Sequence, residues 1–179
     1  GLHIIPSTVD LSSADIELIK TKTPSTALSK AFSEDQSLLA GYDVIFIDCP
    51  PSLSLLTINA MVAANSVLIP LQSEFFALEG LSQLMLSVRE VRKSVNTELR
   101  FEGVVLTMFD RRNNLSQQVE KDARDNLGEL IFKTVIPRNV RVSEAPSHSM
   151  SVLSYEPKSR GAQAYRRLGK EFLKNNKDI

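Results

Sequence analysis

Residues Tyr42 to Ser52 read YDVIFIDCPPS, an apolar run that ends on Asp48 and breaks at once on Pro50 and Pro51. Val44, Ile45, Phe46 and Ile47 predict a strand buried on both faces of a parallel sheet. Asp48 then stands at the carboxyl end of that strand, where open α/β sheets place their ligands. A carboxylate there can hold a Mg²⁺-bound water beside a nucleotide phosphate. The same residues equally suit a buried strand capped by a turn-forming aspartate. Pro50 and Pro51 remove two backbone donors and stop the strand.

The second chemical signal is charge. Residues 103 onward hold 14 Lys and Arg against 9 Asp and Glu, a net +5, and the first 102 residues carry the compensating −5. A basic half within a neutral chain points to one face meeting an anionic partner, although scattered surface charge produces the same split. Near the end, Arg166, Lys170 and Lys174 fall four apart with Arg167 alongside, opposite Tyr165, Leu168 and Phe172. Such a stripe neutralises phosphates without reading bases, and it also describes an ordinary solvated helix face.

Other chemistries find little support. Cys49 is the single cysteine, which excludes an internal disulfide framework and a clustered cysteine metal site, fits a reducing cytoplasm, and predicts a small buried residue. His3 and His148 are too isolated to argue for a triad or a metal. No apolar run approaches the roughly 20 residues that span a bilayer, and no signal peptide is visible.

The elements that must position these residues follow from periodicity. Leu2 to Ile5, Val44 to Ile47, Val67 to Leu71 (stopped by Pro70), Val104 to Phe109 and Ile131 to Ile136 predict strands. Helices are expected over residues 14–20, 27–39 and 56–65 and over 76–95, whose apolar residues alternate by four and three. Leu115, Val119, Ala123 and Leu127 mark another helix, ended by Gly128; Ala162, Tyr165, Leu168 and Phe172 mark the last. Alternating strands and helices mean an α/β fold, a doubly wound, mostly parallel sheet flanked by helices in a single domain over residues 1–179.

Five separated segments, in order, carry a resemblance: YDVIFIDCPPSLSLLTINAM, VLIPLQSEFFALEGLSQL, GVVLTMFDRRNNLSQQV, IPRNVRVSEAPSHS and SRGAQAYRRLGKEF. Together with the opening IIPSTVDLSSADIELI, the chain resembles the ParA/Soj chromosome- and plasmid-partitioning ATPases over nearly its whole length. The resemblance implies a deviant P-loop ATPase that binds ATP and Mg²⁺, forms a homodimer on ATP binding, and coats nonspecific DNA. It also implies hydrolysis stimulated by a ParB-type partner, in the cytoplasm at the nucleoid, with no membrane. Asp48 becomes the Walker B aspartate, acting through the Mg²⁺ water shell. Pro50, Pro51 and Ser52 begin the switch that senses the γ-phosphate. Thr107 and Met108, with Pro137, Arg138 and Asn139, lie near the adenine. Arg112 and Arg141 match arginines that contact DNA phosphates, joined by Arg166, Arg167 and Lys170.

One departure qualifies the resemblance. None of the seven glycines forms a G-x-x-x-x-G-K-[ST] run, whereas the family carries a KGGxGKT loop near its N-terminus. The expectation is a chain lacking about the first third of the domain, incomplete at the N-terminal side of the sheet, without ATPase activity of its own and with unpaired apolar edges that favour dimerisation or swapping. A nucleotide-independent DNA- or partner-binding module on the same fold is the alternative. A MinD-like membrane-cycling ATPase fits poorly, because the closing NNKDI is polar. Iron-protein relatives need cluster cysteines.

Overall fold

The computed structural model describes residues 1–50 and 52–177. They fall into two compact units, Gly1–Ser66 with Leu84–Arg100, and Val67–Gln83 with Phe101–Ile179.

In the first unit, a 3-10 turn at Val9–Ser13 leads into α1 (Ala14–Ile19), followed by α2 (Ala27–Glu34), a 3-10 turn at Gln36–Leu38, and α3 (Leu55–Ala63). The helix expected over 27–39 breaks at Asp35, whose carboxylate accepts from the Ser37 N–H at 3.0 Å and starts the 3-10 turn instead. Asn59 is the polar hub between α2 and α3. It is 4% exposed, accepts from the Leu28 N–H at 3.2 Å, and donates to the Pro24 carbonyl at 2.7 Å. Asn96 closes the other end of α3, its amide lying within 3.0, 3.2 and 2.8 Å of the Met61, Val62 and Ala64 carbonyls. These are the carbonyls that a helix end leaves without partners.

Two expected strands in this unit do not form. Residues 2–5 and 44–47 belong to no strand, and Leu2, Ile4, Ile5 and Phe46 are 87, 75, 88 and 70% exposed. An apolar run becomes a buried strand only when a neighbour supplies its ladder and cover. Cys49 is likewise exposed rather than buried.

The second unit contains the paired strands. β1 (Ser66–Gln72) and β2 (Arg100–Thr107) form a two-stranded sheet, joined through α4 (Ala77–Ser94), whose residues from Leu84 onward belong to the first unit. The Ser73 N–H donates to the Thr107 carbonyl, and the Arg100 N–H to the Asn65 carbonyl, so both strands advance together and run parallel. Pro70 does not stop β1 but lies within it, as a two-stranded edge allows. Beyond β2, the run 131–136 adds only parallel bridges, Val104 to Ile131 and Phe109 to Pro137. While β2 advances from Val104 to Leu106, its partner advances from Phe132 to Ile136, so residues 133–135 loop out of the ladder. The freed N–H groups of Lys133 and Thr134 donate to the Glu171 carboxylate at 2.7 and 2.9 Å.

Helices α5 (Asn114–Leu127), α6 (Val140–Glu144), α7 (Val152–Tyr155) and α8 (Arg160–Asn175) complete this unit, α6 and α7 lying in a stretch the periodicity left unassigned. Val105, Phe132, Ile136 and Ala164 form a core against which Leu68, Leu168 and Phe172 pack. Tyr165, expected on that face of α8, is 39% exposed; Ala164 takes the buried position. Gly103 is required at φ +148°, because a Cβ there would lie 2.6 Å from the Phe132 ring and 2.9 Å from the Leu130 carbonyl. The α/β class with a helix-flanked parallel sheet is as expected.

Candidate functional site

Asp48, Pro50 and Ser52 belong to the first unit, and all are exposed; Pro51 lies outside the described residues. Partial burial, and then the neighbouring Asp48 carboxylate, push the Cys49 thiol up from its ordinary pKa. The Ser52 carbonyl accepts from the Thr57 hydroxyl at 2.6 Å, and the Ser54 hydroxyl accepts from the Leu56 N–H at 3.2 Å. Asp15 reaches the same Leu56 N–H at 3.0 Å. The turn after Asp48 is thus fastened to the start of α3, while the Asp48 side chain stays open to solvent.

No group of three or more His, Cys, Asp or Glu among the described residues converges to hold a metal ion. Asp48 alone does not make a protein-built cation site. A single exposed carboxylate suits Mg²⁺ that keeps its waters and takes its other ligands from a nucleotide phosphate.

The second unit brings together Thr107, Met108, Pro137, Arg138 and Asn139. The Phe109 N–H donates to the Ile136 carbonyl at 3.1 Å, and the Arg138 N–H to the Phe109 carbonyl at 3.0 Å, so the two chain ends leave the sheet side by side. Their polar groups are not equally available. The Thr107 carbonyl already accepts from the Ser73 N–H at 3.1 Å and the Ser73 hydroxyl at 3.2 Å. Ser116 fixes the same corner, donating to the Ser73 carbonyl at 3.2 Å. Asn139 spends its side-chain oxygen on the Arg141 N–H at 3.1 Å, capping α6. Gly161 sits close beneath, where a Cβ would collide with Val142. Met108, at φ +54° and 41% exposed, turns its side chain outward.

The basic residues divide into three kinds. Arg112 forks onto Asp110, Nε to Oδ1 at 3.2 Å and Nη2 to Oδ2 at 3.1 Å, and its bonds hold the Asp110 carboxyl below its usual pKa. Arg141 donates from Nη1 to Glu144 Oε2 at 2.7 Å, and Glu144 followed by Tyr155 raises its pKa further. Arg166 instead donates to the Pro157 and Leu153 carbonyls at 2.6 and 3.2 Å, tying α8 to the end of α7. Arg167, Lys170 and Lys174 are exposed on α8 and hold no ion pair among the described residues. Asp110, Glu144 and Ser73 escaped sequence reading because their roles depend on partners. The D-x-R spacing of Asp110 and Arg112 and the i,i+3 spacing of Arg141 and Glu144 are the local signals that point to such pairs.

Comparison with known proteins gives a consistent picture. Residues 1–101 match a family described as an AAA domain. The chain is 51% identical over 175 residues to the sporulation initiation inhibitor protein Soj of Bacillus subtilis, covering 98% of this chain and 68% of that protein. It is 51% identical over 178 residues to the chromosome partitioning protein ParA of Caulobacter vibrioides, covering 99% and 66%. The chain therefore spans about two thirds of the length of these relatives. Among solved structures, cobyrinic acid a,c-diamide synthase from Mycobacterium smegmatis with ADP and magnesium superposes with a TM-score of 0.77 at 32% identity, covering 96% of this chain and 62% of that one. A plasmid partition protein from Borrelia burgdorferi shares the fold, with a TM-score of 0.64 at 22% identity, covering 93% and 61%.

Proposed function

This chain belongs to the ParA/Soj family of partitioning ATPases, and on that premise we propose that it serves an ATP-driven partitioning protein that holds nonspecific DNA. The observation that carries the reading is the 51% identity to Soj over 98% of the chain. On this reading ATP drives homodimer formation, and a ParB-type protein stimulates hydrolysis at the nucleoid in the cytoplasm. Asp48, open to solvent at the end of its apolar run, is the residue that would hold the nucleotide-borne Mg²⁺, through its water shell. Bound there, Mg²⁺ supplies the charge that neutralises the phosphates. Pro50, Pro51 and Ser52 respond to the γ-phosphate, and the bond from the Thr57 hydroxyl to the Ser52 carbonyl gives that response a mechanical route into α3.

The adenine lies against the two adjacent chain ends at Thr107–Met108 and Pro137–Asn139. Because the Thr107 carbonyl and the Arg138 N–H are occupied, Met108 and the Pro137 and Arg138 carbonyls are left as the groups that meet the base. DNA phosphates meet Arg112, Arg141, Arg167 and Lys170, with Arg166 chiefly fastening α8. These contacts set position and affinity rather than sequence.

Asp48 holds half of the chemistry. Backbone amides of a KGGxGKT loop cradle the phosphates in this family, and this chain has no such run. The test measures ATP turnover and DNA retention for the 179-residue chain and for a longer form carrying that loop on its N-terminal side. The longer form should turn over ATP, Asp48→Asn should cut turnover by about 100-fold or more, and the 179-residue chain should show none. Saturable turnover by the shorter chain, or wild-type turnover by the Asp48→Asn protein, overturns the assignment.

A further inference from the structure

We propose that Glu144 and Asp110 set the strength of the DNA face by holding Arg141 and Arg112 in neutral pairs that a phosphate must open. The inference rests on the reading of these two arginines as phosphate contacts. Its basis is a contrast within one unit of the molecule. Arg141 donates to Glu144 at 2.7 Å, and Arg112 forks onto both Asp110 oxygens at 3.2 and 3.1 Å. Arg167 and Lys170 hold no such partner among the described residues.

Both carboxylates are placed before any ligand arrives. Asp110 also accepts the Arg112 backbone N–H at 3.0 Å, which closes a short turn, and Glu144 lies three residues along the same helix as Arg141. Both arginines remain reachable, their side chains 91 and 52% exposed. The pairs are therefore open to competition by an incoming anion, and a phosphate offers the guanidinium the same bidentate geometry that a carboxylate does.

The consequence is a distinct salt dependence. An unpaired cation that meets a phosphate releases condensed counterions, contributing about 0.9 to the slope of log affinity against log salt. A paired arginine must first release its carboxylate, which takes up a cation from solution. The uptake cancels the release, so Arg112 and Arg141 add little to the slope while their partners are present.

The experiment uses the loop-bearing form with ATP and Mg²⁺ and a mixed-sequence duplex, read by fluorescence anisotropy from about 50 to about 200 mM salt. Glu144→Gln and Asp110→Asn should each tighten binding about fivefold at the middle of that range and steepen the slope by about 0.9. The gain from Glu144→Gln should vanish when combined with Arg141→Ala. Glu120→Gln is the control, since Glu120 pairs with Arg124 on α5 at 2.9 Å; it should change neither quantity. Equal tightening by Glu120→Gln, or by Glu144→Gln without Arg141, reduces the effect to general charge and overturns the proposal. Weaker binding after Glu144→Gln overturns it too, by making the carboxylate an orienting group. If Arg112→Ala and Arg141→Ala leave DNA retention untouched, the DNA reading itself falls, and the proposal with it.

Discussion

Residues 44–48 and 104–110 carry almost the same sequence signal, an apolar run closed by an aspartate. Their outcomes are opposite. Val104, Val105 and Leu106 are 2, 3 and 0% exposed in β2, whereas Ile45, Phe46 and Ile47 are 46, 70 and 37% exposed and belong to no strand. The run at 104 has β1 on one side and the bridged stretch 131–137 on the other. The run at 44 lies in no sheet. Burial of a strand is thus a property of its neighbours, and the apolar pattern only records that neighbours are needed.

The sharpest way to break this comparison is to truncate one residue in each run. Leu106→Ala should cost about 3 kcal/mol in urea unfolding, because it leaves a cavity in a packed core, and Phe46→Ala less than about 1 kcal/mol. Equal losses would mean that the 44–47 run is buried in solution. Gly103→Ala tests the close approach at the start of the buried run. Strain at φ +148° and the collision with Phe132 should lower stability by about 2 kcal/mol, seen as a lower thermal midpoint.

Glu171 tests the bulge that separates β2 from a regular partner. Desolvation pushes its carboxyl up, but bonds from Thr134 and Lys133 outweigh that, and the net pKa lies below the usual range. A carboxylate with a depressed folded-state pKa stabilises fully above its unfolded value, about 4.3, and loses that contribution as pH falls through the folded value. Glu171→Gln should therefore cost about 1 kcal/mol at neutral pH and almost nothing in strong acid. A cost that does not change with pH would sink this account. The smallest effect concerns Cys49. Its raised pKa leaves little thiolate at neutral pH, so alkylation should run slower than for a free cysteine, with Asp48→Asn restoring part of the rate. An Asp48→Asn protein that reacts no faster would remove the carboxylate from the explanation.

Much of the fold was legible from periodicity because helix signals are local. The alternation through Leu81 and Val88 placed α4, and the four-residue spacing of Val119 and Ala123 placed α5; these four side chains are buried. Tyr165 shares the face of α8 that carries Leu168 and Phe172 but stays at its edge, 39% exposed, because Ala164, one residue away, takes the tight contact with Phe132 and Ile136 that a tyrosine would overfill. Short α6 and α7 left no readable period. The site was legible in part. Asp48 and the strand-end residues stood out by position, whereas the hydrogen bonds that occupy the Thr107 carbonyl and the Asn139 side chain come from Ser73 and from the backbone of α6.

By itself, the sequence determined the α/β alternation, the family to which the chain belongs, and the residue types available for phosphate and nucleic-acid chemistry. Those depend on local pattern and on identity, which the chain carries residue by residue. Tertiary structure decided which apolar runs are buried, that residues 133–135 leave the ladder with the Lys133 and Thr134 N–H groups bonded to Glu171, and that Arg112 and Arg141 are paired while Arg167 and Lys170 hold no ion pair among the described residues. Each of these depends on which backbone donor or carboxylate comes within about 3 Å, a distance set by the packing of segments far apart or by the turn between near ones.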